Sequence, residues 1–359
     1  MAEMRETKKV ESMKNEIVNY ADLLLGWYDK NARVLPWRAN PTPYRVWISE
    51  IMLQQTRVEA VLPYFERFVT ELPDTASLAD AAPERLLALW AGLGYYSRAR
   101  NLHRAAKIIM RDFGGELPAS YSALRSLPGL GEYSAGAIAS IAFGIGVPAV
   151  DGNVLRVVSR VLAIEQDITR PAVRRQITKF AKEALPHDRP GDFNQALMEL
   201  GAVVCVPNAA PVCGVCPFTG VCEARKQNVA ESLPHKPEKP LRRLLQYTVF
   251  LVKIEGKTVI RKRPDTGLLA HTWELPCVQG HLNRQQAKQQ LNDWNITLLS
   301  LCEKESRRHI FTHITWELKV FLVEAACSRL PEGWVCSASP LQEAAVSSSF
   351  AKIIQENER

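Results

Sequence analysis

The chain contains no uncharged apolar run approaching the ~18 residues that a membrane-crossing helix needs. Its first nineteen residues are charged and lack the apolar stretch of an export signal. Neither a membrane span nor a secretory route is expected, and the chain reads as an intracellular, cytoplasmic protein. Internal repeats and low-complexity tracts are missing as well, which argues against a stacked-repeat architecture. Without an export signal, eight cysteines argue against a disulfide framework and toward free thiols or a metal site, the more so because four lie between residues 205 and 222.

At ~150 residues per domain, 359 residues suggest about two domains. With 47% hydrophobic and 23% charged residues the chain is expected to be globular, and 45 Lys and Arg against 38 Asp and Glu give a net charge of +7. The isoelectric point of about 9.0 favours a polyanionic partner.

A helical pattern runs from about residue 14 to 225, with a stop at Phe113-Gly114-Gly115 and restarts at Pro118 and Pro171. Residues 1–13 read as a loosely ordered tail. The stretch 226–246, with Leu233-Pro234-His235-Lys236-Pro237 at its centre, is too rich in proline and charge to build a core and reads as a stiff basic connector. Beyond it, residues 247–254 and 257–263 flank Glu255-Gly256 as a β-hairpin. A polar helix near 284–294, strands near 307–323 and a helix near 340–355 make the second domain, 247–359, α+β.

The densest signal lies at Leu127–Asn153. The turn Pro128-Gly129-Leu130-Gly131 opens onto a small-residue helix, a helix-hairpin-helix pattern at 123–142. Its backbone N–H groups point one way and can hold a phosphate. Taken alone, the turn is equally a plain helix connection. Asp151, ahead of another apolar helix, fits an N-cap, a catalytic carboxylate, or both. Glu50 falls between Trp47 on one side and Val46 and Leu53 on the other, so a desolvated carboxyl that carries a proton near neutrality is one reading and a solvated rim residue the other.

The cysteines run Cys205-x7-Cys213-x2-Cys216-x5-Cys222. Structural zinc sites more often use two short C-x2-4-C knuckles. An uneven compact run at the end of a helical domain suits a [4Fe–4S] cluster better than zinc, and a structural role better than redox turnover.

Together the glycine turn, the downstream Asp151 and the terminal four-cysteine loop resemble the endonuclease III-type DNA glycosylases, whose loop usually runs C-x6-C-x2-C-x5-C. One residue more stands in the first gap here. Members with lyase activity carry a lysine in this turn-helix; position 133 is Tyr, so the resemblance narrows to the monofunctional adenine DNA glycosylases of the MutY type. Leu35-Pro36-Trp37-Arg38, Trp47 through Thr56, and Gly92-Leu93-Gly94-Tyr95-Tyr96-Ser97-Arg98 match the same family.

The resemblance implies that Glu50 protonates adenine N7 and that Asp151 stabilises or traps the sugar oxocarbenium ion. It implies further that Tyr133 and Asn153 position the sugar, that Gln55 and Tyr95 wedge the duplex, and that Trp37 and Arg38 lie near the adenine. Leu130 and Gly131 would meet the phosphate, and Cys205, Cys213, Cys216 and Cys222 would hold the [4Fe–4S] cluster. The partner implied is double-stranded DNA with adenine opposite 8-oxoguanine or guanine, bound by a monomer. The second domain resembles a Nudix fold in which Phe311-Thr312-His313 stands where the family has Phe-Ser-His against the oxidised guanine. Residues 284–290 contain no glutamate, so a working Nudix Mg²⁺ site is not expected. The competing readings are a bifunctional glycosylase/lyase and a non-catalytic iron–sulfur DNA-binding protein.

Overall fold

The structure is a computed structural model that describes residues 20–207, 209–238, 240–326 and 329–357. The expected N-terminal tail, 1–13, lies outside them. Packing divides the chain into two compact units. The first comprises 20–80 and 101–238; the second comprises Ala81–Arg100 and the residues from 240 on. The first unit is thus discontinuous, where the sequence suggested one continuous helical domain from 14 to 225.

The first unit is helical: α1 (20–31), α2 (Pro36–Ala39), α3 (Pro43–Leu53), α4 (Val58–Glu71) and α5 (Thr75–Asp80) precede the segment given to the second unit. That segment holds α6 (Pro83–Trp90) and the start of α7 (Ser97–Asp112). Then follow α8 (Tyr121–Ser126), α9 (Glu132–Phe143), α10 (Gly152–Val161), α11 (Pro171–Glu183), α12 (Pro190–Val203) and α13 (Glu223–Lys226). Proline opens α2, α3, α11 and α12, where its missing N–H costs no helical bond. The stop expected after residue 113 is built from Gly114 and Gly115 at φ +63° and +90°. The restart comes three residues later than Pro118, because Ser120 caps α8 by accepting from the Ala123 N–H.

Apolar faces of α1, α10, α11 and α12 share one core, in which Leu24, Val154, Ile177, Phe193 and Leu200 are fully enclosed. The proline-rich stretch contributes to it. Leu233 is buried in that core, its carbonyl accepts from Arg160 Nε at 2.8 Å, and His235 bonds back to the 165–168 loop. The front of the expected connector is therefore part of the first unit's packing; apolar Leu233 outweighs its polar neighbours.

In the second unit β1 (Arg243–Ile254), β2 (Lys257–Lys262), β3 (Trp273–Glu274), β4 (Cys277–Gln279), β5 (Thr297–Ile310), β6 (Ile314–Ala326) and β7 (Trp334–Ser337) form one mixed sheet, ordered β3-β2-β1-β6-β5, with β4 paired to β1 and β7 to β2. β1 runs parallel to β6 and antiparallel to β2 across the Glu255-Gly256 turn. Because side chains alternate along a strand, Val249 and Leu251 enter one core with α16 (Ser348–Asn357), and Phe250 and Val252 enter another with α14 (Arg284–Asp293). β5 begins ten residues before the expected strand. It is an edge strand, where the run Glu303–Arg308 faces water at no cost. The helix expected at 340–355 is instead two, α15 (Pro340–Glu343) and α16, separated by a segment in which Val346 bridges to Trp273. Among the described residues no helix is long and apolar enough to cross a membrane.

Candidate active site

Thr42 caps α3 and Pro43 opens it, and the helix buries Val46, Trp47, Ile48, Ile51 and Met52 around Glu50. Glu50 is 6% exposed, so its carboxyl has lost nearly all its water. It accepts a hydrogen bond from the Tyr133 hydroxyl of α9 at 2.8 Å, and the same hydroxyl lies 3.2 Å from Met198 Sδ on α12. Burial pushes the Glu50 pKa up to about 7; the Tyr133 bond and Arg38 oppose that rise, and the nearby Asp151 charge adds to it.

Asp151 caps α10. Its Oδ1 accepts from the Val154 N–H and its Oδ2 from Asn153 Nδ2, both at 2.7 Å. Burial raises this pKa as well, against the lowering effect of those bonds and of Arg156. Asp151 thus accepts from a fixed backbone N–H and a side-chain amide, whereas Glu50 accepts from the Tyr133 hydroxyl. From Asn153 the bonding continues: its Oδ1 accepts from Arg156, whose Nε donates to the Cys205 carbonyl at 2.7 Å.

Glu50, Tyr133, Asp151, Asn153, Trp37 and Arg38 all line one cavity of about 470 Å³ within the first unit. Trp37 serves core and cavity together, with its ring edge-on to Phe65. The sequence reading missed Glu199, which also lines this cavity. It is 1% exposed and accepts from Arg33 Nε at 2.6 Å and Arg38 Nη2 at 2.9 Å, and these cations hold its carboxyl below the usual range against the cost of burial. A lone carboxylate inside the apolar run Ala196–Val203 was the available signal.

The remaining positions divide differently. Gly131 is exposed at the start of α9, whereas the Leu130 side chain is buried, so only its backbone faces the turn. Gln54 Nε2 donates to Ser134 Oγ at 2.9 Å and so ties the end of α3 to α9. Gln55 and Tyr95 are both exposed and both hold left-handed backbone, at φ +60° and +50°. Such strain in non-glycine residues persists only where the surroundings impose it.

In the second unit Tyr95 shares a 2.9 Å hydroxyl hydrogen bond with Thr312. Phe311, Thr312 and His313 make the three-residue turn between β5 and β6. The Phe311 ring packs on Trp316, and the other two side chains are exposed.

Cys205, Cys213, Cys216 and Cys222 surround one small cavity of about 20 Å³ in the first unit. Arg160 donates to Cys205 Sγ at 3.2 Å, and backbone N–H groups point at the sulfurs of Cys216 and Cys222. Burial pushes the Cys216 thiol up to about 12. Among the described residues no group of three or more His, Cys, Asp or Glu side chains is arranged to hold a metal ion as the chain stands.

Residues 48–183 match the HhH-GPD superfamily of base excision DNA repair proteins, and residues 247–356 match the NUDIX domain. The mouse adenine DNA glycosylase is 34% identical over 403 aligned residues, covering 95% of this chain and 78% of the relative. The chain belongs to the adenine DNA glycosylase family. It is a DNA N-glycosylase of base excision repair, with a helix-hairpin-helix domain followed by a Nudix-like domain built on a mixed sheet. The solved structure of a thermostable thymine-DNA glycosylase, 24% identical, superposes with a TM-score of 0.55 over 60% of this chain and 99% of its own. An endonuclease III–DNA complex, 21% identical, gives 0.51 over 60% and 97%. Both likenesses concern the fold.

Proposed function

We propose that this adenine DNA glycosylase removes adenine paired with 8-oxoguanine or guanine and leaves an abasic site without cutting the strand. The observation that carries the reading is a buried, protonatable Glu50 in one cavity with Asp151, whose carboxylate oxygens accept from the Val154 N–H and the Asn153 amide, and a tyrosine at the position where a lysine nucleophile would stand.

Adenine flipped from the duplex enters the cavity, which is roomy enough for the base and a water. Glu50 gives its proton to adenine N7, so the base leaves as a neutral group, and the resulting carboxylate then takes a proton from the attacking water. Asp151, held by Val154 N–H and Asn153, meets the oxocarbenium charge by its own charge or by a bond to the sugar. Tyr133 orients the Glu50 carboxyl. With no amine at position 133 there is no Schiff base and no strand scission.

Gln55 and Tyr95 each act as a wedge side chain, and Gly131 at the start of α9 offers its backbone N–H to a phosphate, whereas the Leu130 N–H donates to the Leu127 carbonyl at 3.2 Å. The four cysteines fit a [4Fe–4S] cluster. The buried Cys216 and Cys222 thiols, with raised pKa, lose their protons only beside a strong positive charge, and the backbone N–H···S bonds at these two favour the thiolate form. When bound, the cluster would pin the 205–222 loop.

The exposed Thr312 hydroxyl is the group that reads the oxidised guanine, and pairing with Tyr95 couples that reader to the wedge. Thr312→Ala is expected to leave release of adenine opposite guanine nearly unchanged. Its preference for 8-oxoguanine should fall about tenfold, the worth of a hydrogen bond of roughly 1.4 kcal/mol. Single-turnover rates on the two duplexes test this, and an unchanged preference in the variant removes Thr312 from recognition.

A further inference from the structure

Asp151 can act only from a fixed place, and nothing in α10 alone fixes where that helix begins. The segment before it, 144–150, has no regular structure and must take its position from outside. Asn194 of α12 supplies that support. It is fully buried, its Oδ1 accepts from the Ala149 N–H at 3.0 Å, and its Nδ2 donates to the Val147 carbonyl at 2.9 Å and to Ser140 Oγ of α9 at 2.8 Å. Two of these bonds grip the backbone on either side of Pro148, and Ala149 is only two residues from Asp151.

Glycine lets α9 approach the same segment closely. A Cβ on Gly136 of α9 would come within 2.7 Å of the Pro148 carbonyl oxygen. On α12, a Cβ on Gly191 would stand 2.7 Å from the Ser140 carbonyl oxygen, and one on Gly201 would stand 2.5 Å from Asn153 Cβ. Positions 191, 194, 198 and 201 are three, four and three residues apart, so they share one face of α12. This face meets α9, the 147–149 backbone, the Tyr133 hydroxyl and Asn153 in turn.

We infer that Asn194 is a positioning residue for Asp151: with Gly136 it clamps Val147–Ala149 and sets the carboxylate against the sugar. The inference rests on Asp151 facing the sugar as proposed above. A buried amide with every polar group used, and two bonds to one strand of backbone, defines position far more narrowly than apolar packing does. Since a 1 Å misplacement can cost about 10²-fold in rate, loss of the clamp acts on chemistry before it acts on binding.

Asn194→Ala is expected to lower the single-turnover rate of adenine release by about 10²-fold, with affinity for the adenine-containing duplex within about threefold of wild type. Thermal melting and circular dichroism establish the folded fraction to which both values are normalised. Gly136→Ala, whose added Cβ would push on the Pro148 carbonyl, should reproduce this split between rate and affinity, and the double variant should lose less than the product of the two. If Asn194→Ala does not fold, Gly136→Ala alone decides. Full rate in the folded variant, or rate and affinity falling in step, overturns the inference. Absence of adenine release by wild type overturns instead the reading on which it rests.

Discussion

Glu50→Gln is expected to slow adenine release by roughly 10²–10⁴-fold under single-turnover conditions, the usual worth of a general acid. Duplex affinity should stay near wild type. The amide oxygen can still accept the Tyr133 hydrogen bond and fill the same space, so the loss isolates the proton. The pH profile follows from the two carboxyls. Glu50 acts protonated, so wild-type rate falls as pH rises through about 7. Asp151 acts ionised, so rate also falls as pH drops through its raised pKa. In Glu50→Gln the first decline disappears, because nothing that titrates remains at that position, while the second persists. A variant that keeps wild-type rate, or keeps the decline near pH 7, assigns the acid to another group.

Asp151→Asn is expected to cost on the order of 10²–10³-fold, comparable to removing a fixed electrostatic partner of a developing charge. Helix α10 should survive, because an Asn side chain can accept the Val154 N–H and Asn caps helices about as well as Asp. Its amide, however, faces the Asn153 amide and brings no charge. A second effect separates this role from a capping role. The Asp151 charge helps to raise the Glu50 pKa, so its removal should move the high-pH decline to lower pH. Residual rate on the wild-type pH profile would reduce Asp151 to a cap.

Both carboxyls were legible because each announces itself locally: Glu50 is flanked by Val46, Trp47 and Leu53 on its own helix, and Asp151 precedes an apolar helix. Tyr95-Tyr96 shows the limit of that legibility. Nothing local distinguishes these two adjacent aromatics, yet only Tyr96 is buried; Tyr95 is 44% exposed, on left-handed backbone. Glu199 and Asn194 stayed hidden for another reason. Their partners Arg33, Arg38, Ser140 and Ala149 lie about fifty residues or more away along the chain, and local periodicity holds no trace of such pairing.

The same distinction runs through the fold. The β1–β2 hairpin was legible from its turn residues and alternating strands. β5 was not, because on an edge strand the charged run 303–308 mimics a loop. Leu233 was obscured by the prolines around it, and the grouping of Ala81–Arg100 with the second unit depends on contacts with residues beyond 240. Composition describes what a segment can bury. It does not describe which distant segment will cover it.

The decisive incubation is of wild-type protein with an end-labelled duplex holding a single adenine opposite 8-oxoguanine, sampled with and without alkali. The expected result is free adenine in every sample and strand breaks only after alkali, as a glycosylase with tyrosine at position 133 requires. Breaks without alkali would make the protein a lyase and contradict the role given to that tyrosine; no adenine released from this duplex would contradict the proposed chemistry altogether.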